Sequence, residues 1–93
     1  MKSNLTIEVT HPAGLHARPA SQFVQTANQF SSEISVKDLT NESDLVNAKS
    51  ILNILTLGVM QGHQIEIIAD GEDAKDSLLA LKILIEDDFG ERK

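Results

Sequence analysis

Residues 11–20 read HPAGLHARPA, which places an imidazole, His16, two positions before a guanidinium, Arg18, between a glycine and a proline. From Arg18 onward, Ala20, Phe23, Val24, Ala27 and Phe30 recur at helical spacing. Pro19 fits only the first turn of such a helix, where a missing N–H leaves no bond unmade. The helix therefore starts very near His16. A helix N-terminus offers unpaired N–H groups and a partial positive charge, which together make an anion site. The helix dipole discourages a second positive charge beside it, and an uncharged imidazole is a nucleophile. Such a ring can take a phosphoryl group whose oxygens then meet the helix N–H groups. Arg18 adds a planar donor fork suited to phosphate oxygens. Gly14 allows the tight turn that would expose the ring. The same residues also serve plainer ends: a histidine there can be a cap or surface residue, and Arg18 a solvated side chain.

The elements that must hold this stretch follow from periodicity. Residues 4–10, NLTIEVT, put Leu5, Ile7 and Val9 on one face of a strand. HPAG breaks it. Residues 32–37, SEISVK, alternate again, and DLVNAK reads as a weak edge strand after the polar turn DLTNES. Ser50 stands at an N-cap position before a short apolar helix, ILNILTL, which Gly58 closes. Residues 63–70, HQIEIIAD, form a fourth strand. Asp73 is placed to cap a last helix from about residue 74 to about 88, whose acidic end Glu86–Asp88 is opposed by the dipole and reads as solvated surface or fraying. The order is β-α-β-β-α-β-α. It predicts an α+β fold of two layers, a sheet with three helices on one face and the other face open to water. Residues 1–93 are expected to be a single domain, with no repeat or linker.

Composition narrows the functions. The net charge of −6 speaks against nucleic acid as a partner, and three Phe with no Trp or Tyr leave no base-stacking platform. Without cysteine there is no disulfide or thiolate zinc site, and His11 and His63 are expected in surface or strand-end roles rather than as metal ligands. No apolar run reaches the roughly 18 residues that span a bilayer, and the start, MKSNLTIEVT, lacks a signal-peptide core, so the expected compartment is the cytoplasm.

The stretch GLHARPAS at 14–21 resembles the active-site signature of the HPr family, the histidine-containing phosphocarriers of the phosphoenolpyruvate-dependent sugar phosphotransferase system. A second stretch, KSILNILTLG at 49–58, is similar to that family's serine signature. The likeness implies an open-faced β-sandwich with a four-stranded antiparallel sheet and three helices. It implies that His16 is phosphorylated on Nδ1 by the phosphoenolpyruvate-dependent first enzyme, and that Arg18 steadies the phosphoryl charge. The group then passes to a histidine of a downstream IIA-type acceptor. The protein would be a relay intermediate, not a turnover catalyst, and would need no cofactor or metal of its own.

Ser50 explains itself as a helix cap, and the resemblance adds a regulatory reading in which a serine kinase modifies it. On that alternative the domain is an interaction module, controlled at Ser50, that meets a kinase, a phosphatase or a transcription factor. Ala17, Ala20, Lys49, Ile51, Leu52 and Leu55 are the expected partner-binding residues. Leu52 and Leu55 lead among the apolar ones, because Ile51, Ile54 and Leu55 cannot all face one way on a helix. One departure stands out: many members carry lysines on the first helix, whereas SQFVQTANQF has no basic residue. Weaker electrostatic steering follows. It opens the acceptor to a nitrogen-linked or dihydroxyacetone-linked branch.

Overall fold

The structure is a computed structural model that describes residues 1–91; the single-domain expectation also takes in Arg92 and Lys93, which lie outside the described residues. The chain runs β1 (Lys2–Glu8), α1 (Ala17–Ala27), β2 (Glu33–Asp38), β3 (Val46–Asn47), α2 (Ile51–Leu57), β4 (Gln64–Asp70) and α3 (Ala74–Glu86), then a short 3-10 turn at Asp88–Gly90. The strands form one antiparallel sheet in the order β1-β4-β2-β3.

Strand alternation decides which face is covered. Ile7 lies opposite Ile65 and Leu5 opposite Ile67. On the other side of β4, Val36 pairs with Ile67 and Ile34 with Ala69. These side chains share one core with Phe23 and Ala27 of α1, Ile54 and Leu57 of α2, and Leu78, Leu81 and Ile85 of α3. The opposite face carries Lys2, Asn4, Thr6 and Glu8 on β1. There Glu66 accepts a hydrogen bond from Asn4 Nδ2 at 2.9 Å and sits 3.7 Å from Lys37 Nζ. Exposed pairs of this kind add about 0–1 kcal/mol each, so the buried apolar layer, not the charge ladder, holds the sheet flat against the helices.

Four local expectations need correction. The first strand begins at Lys2 and ends at Glu8, though the inward parity of Leu5, Ile7 and Val9 is as expected; Val9 is fully buried and still bonds His63 O through its N–H at 2.9 Å. The edge strand shrinks to two residues. The chain ahead of it wraps a buried carboxylate instead: Asp38 accepts from Thr40 N, Asn41 N and Asn41 Nδ2, and its Oδ2 lies 2.9 Å from His63 Nδ1. Asp73 is the N-cap residue of α3, as expected, but its side chain makes no capping bond. Its carboxylate takes N–H and hydroxyl bonds from Ser31 and Ser32, tying the start of α3 to the loop before β2. Those bonds, led by the Ser32 hydroxyl, hold its carboxyl at about 2. The acidic end of α3 is only partly free: Asp88 accepts from the Thr10 hydroxyl, and Phe89 turns inward until it is 2% exposed.

Candidate functional site

Between β1 and α1 the loop is pinned from below. Gly14 N–H donates to His11 O at 2.8 Å, and Leu15 N–H donates to Val59 O at 3.0 Å. Leu15 is wholly buried, so the residue before His16 is a plug in the core. Gly14 takes φ +61°, and a Cβ there would collide with the Val59 carbonyl oxygen. A glycine is thus required twice, by backbone angle and by space. The bond to Val59 also brings the segment after α2 beside this loop.

His16 is the N-cap of α1, with extended backbone (φ −123°, ψ 164°), and its ring makes no capping bond. The side chain is half-buried, and the ring is left free of the helix it precedes. Ala17 follows at φ +53°, in the left-handed region that an alanine adopts only under constraint. Ala17 and Arg18 are exposed, whereas Pro19 and Ala20 are buried. His16 and Arg18 thus both stand within the first turn of one helix, the histidine half-buried and the arginine exposed.

Arg18 is held as well as exposed. The Gln22 amide satisfies two neighbours in one orientation: its oxygen accepts from Arg18 Nε at 3.3 Å, and its nitrogen donates to Phe89 O at 3.0 Å. Gln22 lies one turn after Arg18, and sequence reading overlooked it. The spacing of four between them was the available signal.

The residues expected to meet partners separate into three groups. Ile51, Leu52 and Leu55 are exposed on α2, while Ile54 and Leu57 pack inward, so the short helix is divided as its spacing requires. Met60, beyond the helix, is exposed too. Ala20 is a correction: it is fully buried, because Ala20, Phe23 and Ala27 form the stripe of α1 that faces the sheet. Lys49 is half-exposed. Its Nζ lies 2.6 Å from Phe30 O, so the ammonium closes the turn after α1 instead of standing free.

Ser50 is the N-cap of α2, and its hydroxyl accepts from Asn53 N at 3.3 Å; Gly58 ends the helix in the left-handed region at φ +69°. His63 stands at a strand end, as expected. His11 is buried beneath the loop: Nδ1 accepts from Ala13 N at 2.9 Å, Nε2 lies 3.0 Å from Glu91 Oε1, and the ring meets Phe89 edge-on at 5.9 Å. Among the described residues, no group of His, Cys, Asp or Glu could hold a metal ion, and no helix is long and apolar enough to cross a membrane.

An open-faced β-sandwich with a histidine that makes no capping bond at the head of its first helix and an arginine two residues on defines a narrow class of small domain. The family model "PTS HPr component phosphorylation site" matches residues 4–87. The phosphocarrier protein HPr of Buchnera aphidicola is 44% identical over 85% of this chain and 89% of its own. The crystal structure of HPr from Thermoanaerobacter tengcongensis superposes with a TM-score of 0.91 at 48% identity, covering 96% of this chain and 97% of that one. The chain belongs to the HPr family. It is also 42% identical, over 92% of its length, to the multiphosphoryl transfer protein of Haemophilus influenzae, but spans only 17% of that longer protein.

Proposed function

We propose that the chain is a phosphocarrier that receives a phosphoryl group on His16 and hands it on. The donor is the phosphoenolpyruvate-dependent first enzyme, and the receiver a histidine of a downstream IIA-type acceptor. The observation that carries the reading is the ring of His16, free of capping bonds at the head of an eleven-residue helix with Arg18 exposed beside it. With its proton on Nε2, the ring attacks phosphorus through the Nδ1 lone pair. The Nδ1–P bond forms as the donor's N–P bond breaks, and the donor ring keeps that electron pair. No separate base is needed. The first-turn N–H groups and Arg18 meet the charge on the phosphoryl oxygens. The reverse step delivers the group to the acceptor, so the chain turns over no substrate of its own and needs no cofactor.

Ile51, Leu52, Leu55 and Met60 form the apolar surface beside the site that such partners would cover, with Ala17 at its edge. Residues 1–93 act as one domain in this role, in the cytoplasm. Incubation with phosphoenolpyruvate and the first enzyme adds one acid-labile phosphoryl group, seen by intact mass, and His16→Ala takes none. An unmodified wild-type chain under those conditions refutes the reading.

The exposed apolar residues that follow Ser50 favour a second reading, an interaction module switched by a serine kinase. A phosphate on Ser50 would add charge at the border of that apolar surface and repel an acidic partner. On this reading Ser50→Ala abolishes partner binding and His16→Ala leaves it intact; the converse result excludes it.

A further inference from the structure

We propose that the C-terminal turn, acting through Gln22, is the device that positions Arg18. The proposal rests on the phosphocarrier reading of His16 and goes beyond it. A long, flexible arginine on the first turn of a helix has many rotamers, and most of them point away from a phosphoryl group bound at the helix head. With the Gln22 amide turned so that both of its polar atoms are satisfied, Arg18 Nε donates to its oxygen at 3.3 Å, and the terminal nitrogens of the guanidinium stay available for an anion. The Gln22 amide is itself fixed, because its nitrogen donates to the backbone carbonyl of Phe89 at 3.0 Å.

That carbonyl belongs to a turn fastened to the body at further points. Phe89 is 2% exposed, and its ring meets that of His11 at 5.9 Å, nearly perpendicular. The Thr10 hydroxyl donates to Asp88, and Glu91 Oε1 lies 3.0 Å from His11 Nε2. Asp88 and Phe89 both adopt positive φ, 49° and 57°, which bends the chain back over the loop that carries the histidine. Non-glycine residues hold such angles only where surrounding contacts enforce them. A path of contacts therefore joins the β1–α1 loop, through the C-terminal turn and Gln22, to the arginine. Gln22 is a positioning residue: it touches Arg18, not the phosphoryl group.

The test uses the full chain, with phosphoenolpyruvate and the family's first enzyme as donor. Gln22→Met removes both hydrogen bonds while keeping the length of the side chain and its preference for helix. Losing one hydrogen bond to a charged group lowers kcat/KM by about tenfold, mostly in kcat. Solvent exchange of the Arg18 Nε–H, read by nitrogen-15 NMR on the isolated chain, speeds up because the bond to Gln22 is lost. The double variant Arg18→Met with Gln22→Met transfers no more slowly than Arg18→Met alone, because Gln22 acts through the arginine. Unchanged Nε–H exchange in Gln22→Met, or single-variant losses that multiply in the double variant, overturns the proposal while transfer by the wild-type chain stands. Absence of transfer in the wild type overturns the phosphocarrier reading and this proposal with it.

Discussion

Replacing Gly14 with alanine tests how the loop holds His16. The residue sits at φ +61°, and the left-handed conformation costs an L-residue with a Cβ roughly 1–2 kcal/mol. The new methyl group also collides with the Val59 carbonyl oxygen, the acceptor of the Leu15 N–H bond. Relief of that collision separates the two segments and loses the bond, a further loss of about 1 kcal/mol. The expected destabilisation is about 2–3 kcal/mol, a large part of the 5–15 kcal/mol that stabilises a typical domain. Gly58→Ala is the internal control. Its φ of +69° carries the same angular strain, but a Cβ there meets nothing within 4 Å, so its loss stays near 1–2 kcal/mol. Urea unfolding of both variants by circular dichroism gives the two values. In the transfer assay Gly14→Ala is also slowed at temperatures where it remains folded, because the loop that presents the ring has moved. If Gly14→Ala proves no less stable than Gly58→Ala, the close approach to Val59 is not what fixes this loop.

The remaining expectations concern the core, the apolar surface and acid stability. Ile54→Ala empties a fully buried site between α2 and the sheet and costs about 2–5 kcal/mol in urea unfolding. Leu52→Ala, at a position 67% exposed, changes stability by no more than about 0.5 kcal/mol and is expected to weaken complex formation with the first enzyme, measured by titration calorimetry. The Asp73 carboxyl lies at about 2 in the folded chain against an ordinary 3.8, because the Ser31 and Ser32 donors favour the charged form. A carboxyl lowered by folding adds stability that is fully present above 3.8 and is lost as the pH falls towards about 2. The urea midpoint of wild type should therefore drop across that window more steeply than that of Asp73→Asn; parallel curves would show that the serine bonds do not form in solution.

Much of the site was written locally. Pro19 and the period of Ala20, Phe23 and Ala27 place a helix start at His16, and the structure makes His16 the N-cap. Ser50 and Gly58 mark both ends of α2, each through contacts within a few residues. The alternation of Leu5 and Ile7, of Ile34 and Val36, and of Ile65 and Ile67 fixes the covered face of every long strand. Such features are legible because period and capping depend on neighbours along the chain.

What escaped the sequence depends on residues far apart in it. Helical spacing shows that Ala20 lies on the stripe of Phe23 and Ala27, but only the packed sheet showed that this stripe leaves Ala20 no exposed surface. Asp73 has the right type and place for a cap, yet two serines some forty positions earlier offer four donors and win its carboxylate. Asp38 follows the inward parity of β2, and it is tolerable there because His63 and the turn at Thr40 and Asn41 supply every bond it needs. By itself the sequence determined the elements, the inward faces and the residues able to carry a phosphoryl group. The tertiary structure alone decided the strand order, the partner of each buried polar group, and the turn at Phe89 that reaches Arg18 through Gln22. Local order follows from the geometry of a few adjacent peptides, whereas these pairings form only when the core brings distant segments within bonding distance.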